Sequence, residues 1–296
     1  MTRPLSLNLA KPEETNIKFE ISKFPDGQQS ITLDNPTSVK DCEVVIQSRL
    51  TSFKDLEIII CANQALRECG VKSVSLYVPY FLGARSDRKF VPGSVNYLKQ
   101  VICPIINAQK FDSVVVLDPH SDVLEACLNN FEKVNNHLIV KYALTDIDNT
   151  NQAREKVVLV SPDGGALKKI YDVAAEFQIT DIVTAIKHRD IKTGKITHTE
   201  VPLKPLEHEY GKKFVIVDDI CDGGRTFIEL AKAIRERTQD CEIYLVVTHG
   251  IFSAGLLELS RYFQKIYTTN SVKEIEPESY SDYTVPKEFL TQYNIF

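Results

Sequence analysis

The chain of 296 residues has no run of about 20 consecutive apolar side chains, the length that a helix needs to cross a bilayer. Its first residues, MTRPLSLNLAKPEE, also lack the apolar core of a secretory signal peptide. An excess of positive charge is absent as well, since the formal net charge is -5. These absences exclude a membrane-spanning protein and a general nucleic-acid binder, so we expect a cytoplasmic protein with neither partner.

Cysteine patterns typical of metal sites are missing too. The seven cysteines form no C-x-x-C pair, and most stand in apolar stretches, where a thiol behaves as a small hydrophobic group. We therefore expect free thiols and no structural zinc. Because the chain has no basic overall field, any anionic substrate must be held by local cations and a metal ion.

Apolar runs with the length of buried strands alternate with amphipathic helical patterns. The clearest helices are predicted at Lys54–Cys69, Leu167–Gln178 and Phe227–Arg237. Strands are predicted at 43–47, 73–78, 113–117, 156–160, 181–186, 214–218 and 242–248. This alternation is typical of α/β proteins whose sheets are largely parallel.

Two domains are predicted from the chain length and from a break in this pattern. A chain of 296 residues accommodates two domains of roughly 100 to 150 residues each. The polar interval 145–155 precedes a fresh series of strands and helices, so we predict one domain over 1–145 and a second over 146–296. The polar, glycine-containing interval 188–206 predicts an exposed hairpin or a mobile loop.

The most informative segment is 214–226, which reads FVIVDDICDGGRT. A buried strand leads into Asp218 and Asp219, and then into a glycine-bearing loop that precedes a helix. At the carboxyl end of a parallel strand, such a loop can hold a phosphate, and the two carboxylates can accept hydrogen bonds from sugar hydroxyls. The pattern favours a phosphorylated sugar, with helix capping and a plain glycine turn as the alternative.

Three cations crowd the loop 80–89, which follows a predicted strand; they are Arg85, Arg88 and Lys89. Arginine offers a planar fork that matches phosphate oxygens and lysine offers a point charge, so the loop can bind a triphosphate. A solvated surface loop with partial pairing through Asp87 is the alternative.

Acidic and histidine side chains follow two further strands. Asp118, His120 and Asp122 stand at alternate positions after the first of them. They could ligate or orient the waters of Mg²⁺, although histidine is an uncommon ligand for so hard an ion. Asp163 stands beside two glycines after the other strand. A loop histidine and a helix cap are the respective alternatives.

Two cations leave a strand at Lys187 and Arg189. Because strand side chains alternate, the two are predicted to face the same side, where they could close on a phosphoryl group in transfer. Phosphoryl transfer depends mainly on positioning and on charge stabilisation in the transition state. Ordinary surface charges are the alternative.

Taken together and in this order, these segments resemble the ribose-phosphate diphosphokinases, also called phosphoribosyl pyrophosphate synthetases. The matching stretches are KFPDGQQS (23–30), VVIQS (44–48), YVPYFLGARSDRK (77–89), VLDPHSD (116–122), VSPDGG (160–165), IKHRD (186–190), VIVDDICDGGRT (215–226) and VTHGIFS (247–253). Several ordered matches are far more specific than any one loop. The resemblance implies an α/β protein of two tandem type I phosphoribosyltransferase-like domains, each with a largely parallel sheet flanked by helices.

The resemblance also implies roles for individual residues. Those implied to bind ATP are Phe24, Asp26, Gln28, Arg85, Asp87, Arg88, Lys89 and His120. Those implied to bind the ribose and its phosphate are Asp218, Asp219, Asp222, Gly223, Gly224, Arg225 and Thr226. Mg²⁺ is implied at His120 and Asp163, and catalysis at Lys187 and Arg189. The segment around Phe24 reaches the ATP site of a neighbouring subunit in the family, which implies a homo-oligomer, either a dimer or a hexamer of dimers.

The implied reaction is attack of an anomeric ribose hydroxyl on the β-phosphorus of Mg-ATP, with transfer of diphosphate and release of AMP. The sugar-phosphate loop of the family reads Asp-Thr-Ala/Gly-Gly-Thr, whereas this chain reads Asp-Gly-Gly-Arg-Thr over 222–226. A threonine hydroxyl is missing at Gly223 and a cation is added at Arg225. Two acceptors therefore stay open, namely ribose 5-phosphate and a larger 5-substituted ribose such as ADP-ribose.

Two rival functions also stay open. A non-catalytic regulatory paralogue would keep the fold, but retention of Lys187, Arg189 and the paired aspartates argues against it. A nucleobase phosphoribosyltransferase would share the Asp-Asp loop, yet it has no need for the cationic segment 85–89.

Overall fold

The computed structural model describes residues 3–147, 157–189, 196–202, 212–238, 241–275 and 285–296, with the backbone alone at 187–189, 196–199 and 287. The chain divides into two compact units. Unit 1 comprises residues 1–135 together with 295–296, and unit 2 comprises residues 136–294. All seven cysteines lie within the described residues and are free thiols. Within this part of the chain, no helix is both long enough and apolar enough to traverse a membrane.

Unit 1 is built on a parallel sheet. Its elements are β1 (Leu5–Asn8), β2 (Phe19–Lys23), β3 (Gln29–Leu33), β4 (Glu43–Gln47), α1 (Phe53–Glu68), β5 (Ser73–Tyr77), α2 (Cys103–Ala108), β6 (Ser113–Leu117), α3 (Val123–Cys127) and β7 (Phe131–Val134). Five strands form the sheet in the order β1-β4-β5-β6-β7, with every neighbouring pair parallel. The strands β2 and β3 form a separate antiparallel hairpin.

Local sequence signals explain the start and packing of α1. The Ser52 hydroxyl accepts the N–H of Asp55 at 3.3 Å, and the Asp55 carboxylate accepts the N–H of Ser52 at 2.9 Å, which completes a capping box. Leu56, Ile59 and Leu66 then recur at helical spacing and are fully buried against the sheet.

Unit 2 also centres on a parallel sheet. Its elements are α4 (His137–Ile147), β8 (Val157–Ser161), α5 (Leu167–Phe177), β9 (Ile182–Thr184), β10 (Ile186–Arg189), β11 (Ile196–Glu200), β12 (Lys213–Cys221), α6 (Arg225–Arg237), β13 (Glu242–Gly250), α7 (Leu257–Ser260), β14 (Lys265–Thr269) and β15 (Leu290–Tyr293). Six parallel strands lie in the order β15-β14-β13-β12-β8-β9. The nine-residue strands β12 and β13 are central and almost wholly buried, and each has an apolar run in its middle, at 214–217 and 243–247.

The division between the units precedes α4, whereas the sequence places the domain boundary after residue 145. The helix belongs to unit 2 because its last turn bonds there. Asp146 Oδ2 accepts from Lys265 Nζ at 2.7 Å and from the Tyr267 hydroxyl at 2.9 Å. The C=O of Ile147 accepts from Lys213 Nζ at 2.6 Å. The polar interval 145–155 therefore begins in the last turn of α4, and the division between the units lies before that helix.

The predicted α/β class with parallel sheets is confirmed. The three clearest predicted helices are α1, α5 and α6, each with ends within two residues of the prediction. The predicted strand 181–186 divides into β9 and the start of β10. The sequence leaves the interval 188–206 open between a hairpin and a mobile loop; β10, which begins at Ile186, pairs antiparallel with β11, which ends at Glu200. Residues 190–195 and 203–206 lie outside the described residues.

Candidate active site

The carboxyl ends of parallel strands meet at one edge of each sheet, the edge where open α/β sheets bind ligands. In unit 1 this edge carries the segments 80–89 and 118–122, which follow β5 and β6. In unit 2 it carries Asp163 after β8 and the segment 218–226 at the end of β12. Each unit thus brings predicted site residues to the same edge of its own sheet.

The tip of the hairpin β2–β3 carries the residues implied to contact adenine. The N–H of Phe24 donates to the C=O of Gln28 at 2.9 Å, and the N–H of Gln28 donates to Oδ1 of Asp26 at 3.1 Å. All three residues are exposed, with 52% of Phe24 accessible. The tip therefore presents an aromatic ring and two polar side chains on the surface of unit 1.

The cationic loop of unit 1 exposes Arg85, Arg88 and Lys89. Asp87, by contrast, is half-buried, and its C=O accepts from Nδ2 of Asn96 at 2.7 Å. A loop tied down through its backbone while its cations remain exposed suits a polyanion such as a triphosphate.

In the turn after β6, Asp118 is buried whereas His120 and Asp122 are exposed. Asp118 is 2% exposed, and its N–H donates to the C=O of Val134 at 2.7 Å. Its φ of 42° is left-handed, which is uncommon for a residue with a side chain. His120 and Asp122 are exposed. His120 and Asp122 are therefore accessible to a ligand, whereas Asp118 is not.

The carboxylate of Asp163 holds the turn that leads into α5. Its Oδ1 accepts the N–H of Gly165 at 3.0 Å and the N–H of Ala166 at 3.2 Å. The hydroxyl of Ser161 donates to the C=O of Asp163 at 2.7 Å. Asp163 therefore orders the turn before α5 but does not cap the helix, whose N-cap residue is Ala166. Any metal contact of Asp163 has to be compatible with these two bonds.

The carboxylates of Asp218 and Asp219 have different surroundings, because adjacent residues of a strand point to opposite faces. Asp219 is 5% exposed, and its Oδ2 lies 3.0 Å from Nζ of Lys169 on α5. Asp218 is half-buried, and its Oδ1 accepts the N–H of Asp219 at 2.9 Å. Burial, with added repulsion from Asp219 and Asp163, raises the pKa of Asp218 to about 7. Asp218 is the more accessible of the pair.

The loop after β12 lies beside Ser253, which follows β13. The Ser253 hydroxyl donates to Oδ1 of Asp222 at 2.6 Å, and its N–H donates to the C=O of Asp222 at 3.1 Å. A Cβ on Gly223 would lie 3.7 Å from the Ser253 hydroxyl, which is ordinary contact. A Cβ on Gly224 would lie 2.9 Å from Leu259, and φ there is 78°. The backbone requires glycine at 224 but not at 223.

Arg225 is the first residue of the thirteen-residue helix α6, and its side chain is exposed. The first turn of this helix contains no acidic residue. The helix dipole places partial positive charge at this end, so a cation here is unfavourable by itself. A bound anion would offset both positive charges. The half-buried Thr226 follows in the same turn.

Lys187 and Arg189 lie in β10, where Lys187 pairs with Thr199 of β11. The pairing register shifts between His188 and Arg189. The prediction that Lys187 and Arg189 face the same side assumes regular alternation along the strand. The register shift between them interrupts that alternation. The side chains of these residues lie outside the described ones, so their catalytic assignment stays a prediction.

A family model described as the phosphoribosyl transferase domain matches residues 128–282, just over half of the chain. The chain belongs to this family. The matched span takes in most of unit 2, including the carboxylates of β12 and the loop that follows them.

Relatives extend the likeness to both units. The ribose-phosphate pyrophosphokinase of Pyrococcus abyssi is 27% identical over 275 residues, which are 91% of this chain and 90% of that protein. The one of Hyphomonas neptunium is 24% identical over 86% of this chain and 79% of its own length. The crystal structure of phosphoribosylpyrophosphate synthetase from Mycobacterium smegmatis is 19% identical with a TM-score of 0.76, covering 96% of this chain and 88% of that chain. The predicted family resemblance and the predicted fold are confirmed.

Two contacts of this phosphoribosyl transferase domain were not anticipated from the sequence, namely Lys169 with Asp219 and Ser253 with Asp222. A signal for the first exists, because two adjacent lysines, Lys168 and Lys169, follow the Asp-Gly-Gly turn. Sequence alone does not say which of the two points towards the strands. Ser253 stands within the matched stretch VTHGIFS, but nothing in that stretch indicates its partner.

The donors available for Mg²⁺ at this edge of unit 2 are carboxylate oxygens, which suit the ion. Among the described residues, no group of three or more His, Cys, Asp or Glu side chains is placed to hold a metal ion. Mg²⁺ commonly uses one or two carboxylates, with substrate phosphates and waters completing its shell. Asp163 and Asp218 fit an ion that arrives with a nucleotide, whereas His120 in unit 1 is a nitrogen donor and fits less well.

Proposed function

We propose that this protein is an enzyme that transfers the diphosphate group of ATP to the anomeric hydroxyl of a ribose carrying a 5-phosphate, and releases AMP. The observation that carries the proposal is the extent of the likeness. Relatives named ribose-phosphate pyrophosphokinase align with up to 91% of this chain, a span that includes most of both units. A phosphoribosyl transferase domain alone would account only for unit 2.

In this proposal, cationic side chains bind the nucleotide and stabilise the transition state. The exposed Arg85, Arg88 and Lys89 would bind its phosphates, and Lys187 and Arg189 would stabilise the charge that develops on the β-phosphoryl oxygens. The anomeric oxygen forms a bond to the β-phosphorus and loses its proton to solvent. The bond from that phosphorus to the oxygen that bridges the α- and β-phosphates breaks, and this oxygen leaves with AMP. Mg²⁺ bound with the nucleotide would neutralise part of the phosphate charge.

The acceptor is held in unit 2. Asp218 and Asp219 would accept hydrogen bonds from the ribose hydroxyls, and the loop 222–226 with the start of α6 would bind the 5-phosphate. A homo-oligomer also belongs to the proposal, since Phe24 at the hairpin tip is exposed and the resemblance implies that this segment reaches the nucleotide of a neighbouring subunit.

The assay that tests this function is AMP formation from Mg-ATP in the presence of ribose 5-phosphate or ADP-ribose, followed by chromatography. AMP that appears only with an acceptor is the expected result. A regulatory paralogue would form none, and a nucleobase phosphoribosyltransferase would instead release diphosphate when a nucleobase and an activated ribose are supplied. Either of those outcomes would overturn the proposal.

For the acceptor, we propose a 5-phosphate that continues into a larger group, as in ADP-ribose. Two features support it. Gly223 is exposed and carries no side chain at a position where a Cβ would make only ordinary contact, so the loop is more open there than its backbone requires. Arg225 adds an exposed cation at the helix start, where a second phosphate would offset its charge. AMP formation with ribose 5-phosphate alone would contradict this part of the proposal.

Replacing Arg225 by glutamine is expected to weaken the binding of ADP-ribose by about tenfold, because a charge-assisted hydrogen bond to phosphate is lost. Ribose 5-phosphate binding should change less, by about threefold or under. Calorimetric titration of both ligands measures the difference. Arg237→Gln in the last turn of the same helix is the matched control, and an equal loss for both ligands in Arg225→Gln would contradict a role in acceptor size.

A further inference from the structure

The ion pair of Lys169 with Asp219 joins α5 to β12 through two residues that are 50 apart in the chain. Lys169 is the third residue of α5, and its Nζ lies 3.0 Å from Oδ2 of Asp219 near the end of β12. The lysine side chain is 24% exposed and the aspartate side chain 7%. A pair so largely withdrawn from water is screened by salt much less than a surface pair.

The surrounding contacts fix where Lys169 lies. The turn before α5 is held by Oδ1 of Asp163, which accepts two backbone N–H groups. The next residue, Ile170, is fully buried at 0% exposure. The lysine therefore extends from a helix that is secured both at its start and on its inner face.

The orientation of Asp219 bears directly on Asp218, the more accessible carboxylate. The N–H of Asp219 donates to Oδ1 of Asp218 at 2.9 Å, so a shift of the Asp219 backbone would move the Asp218 carboxylate as well. The charge of Lys169 also acts on Asp218, because it opposes the rise in the pKa of that carboxyl group. One cation thus influences both carboxylates at the end of β12.

We propose that Lys169 is a positioning residue for the acceptor. Acting through Asp219, it holds the two carboxylates at the end of β12 in the arrangement that accepts the ribose hydroxyls. This inference rests on the proposed function, since it takes the acceptor to be a ribose. The competing explanation is a structural ion pair that only offsets the unfavourable burial of Asp219.

Replacing Lys169 by methionine, which keeps a side chain of similar length, tests the proposal. Lys169→Met is expected to weaken the binding of ribose 5-phosphate and ADP-ribose by about tenfold or more, because the carboxylates lose their fixed arrangement. The dissociation constant of ATP measured without Mg²⁺ should stay within about threefold, since Arg85, Arg88 and Lys89, and not Lys169, are proposed to bind its phosphates. Calorimetric titration gives both constants, and thermal unfolding reports on the fold. Lys168→Met, at the exposed neighbouring lysine, is the matched control and should change neither.

Two further variants separate positioning from stability. Lys169→Arg keeps the cation and should retain acceptor affinity to within about threefold. In an Asp219→Asn background, Lys169→Met should cause no additional loss, because the residue acts only through that carboxylate. Additive losses in the double variant, or equal weakening of ATP and acceptor binding with a lower unfolding midpoint in Lys169→Met, would establish the structural ion pair and overturn the proposal. Failure of the unaltered protein to bind either acceptor would instead overturn the proposed function.

Discussion

Lys187→Ala is expected to lower the rate of acceptor-dependent AMP release by about a thousandfold. In the loose transition state of phosphoryl transfer, charge spreads over the oxygens of the moving group, and a positioned cation stabilises that charge. Alanine removes the ammonium group that is proposed to do this. Because the interaction is made in the transition state and not with bound ATP, the ATP dissociation constant should remain within about threefold.

A steady-state assay of AMP, combined with an equilibrium titration of ATP, measures this result. Lys232→Ala is the matched control, since Lys232 lies on α6 in the same unit and its exposed side chain pairs with Glu229 at 3.1 Å. Activity in Lys187→Ala above about a tenth of the unaltered rate would contradict the catalytic assignment, because that loss is only about 1.4 kcal/mol of barrier.

Asp218→Asn is expected to weaken acceptor binding by about a hundredfold at about pH 8. The ionised carboxylate offers two charged acceptor oxygens to neighbouring ribose hydroxyls, whereas the amide offers one neutral oxygen. The two side chains have nearly the same shape, so the packing of the β12 end should persist. Calorimetric titration of the acceptor measures the loss, with ATP titrated in the absence of Mg²⁺ as the unaffected ligand.

The affinity of the unaltered protein for the acceptor should also depend on pH. Burial, together with the charges of Asp219 and Asp163, raises the pKa of Asp218 to about 7, so its carboxyl group is mostly neutral below that pH and ionised above it. Acceptor affinity measured without Mg²⁺ is therefore expected to rise from about pH 6 to about pH 8 and then to level off. Asp218→Asn should abolish this rise.

The control for both effects is Asp172→Asn, at an exposed aspartate on α5. It should bind the acceptor like the unaltered protein and keep the pH dependence. A pH profile that survives in Asp218→Asn would show that another group titrates, and unchanged affinity at high pH would remove Asp218 from the acceptor site.

Apolar periodicity is a strong guide where an element is long and buried. The helices α1, α5 and α6 and the buried strands β12 and β13 follow from it, because their sequences carry the pattern of the surface that they cover. It fails for short or polar strands. The strand β7 contains Glu132 and Lys133, and β14 ends in two threonines, so neither carries a clear apolar pattern. Pairing with a neighbouring strand, and not local preference, makes these segments extended.

The sequence by itself determined the chemistry at the carboxyl ends of the strands. It specifies paired carboxylates at Asp218 and Asp219, a glycine-bearing loop over 222–226, and three cations in the segment 85–89. Their order along the chain was sufficient to identify the family. Parallel strands bring their carboxyl ends to one edge, so position relative to a strand already predicts which residues share an edge within a unit.

Only the tertiary structure decided how these groups are engaged. It buries Asp219 and leaves Asp218 accessible, it selects Lys169 and not Lys168 as the ion-pair partner, and it places Ser253 against Asp222. The physical reason is that periodicity specifies which face of an element is apolar, but not which other element covers that face. A contact between residues 50 apart depends on how α5 packs against the sheet, and that packing is a property of the whole fold.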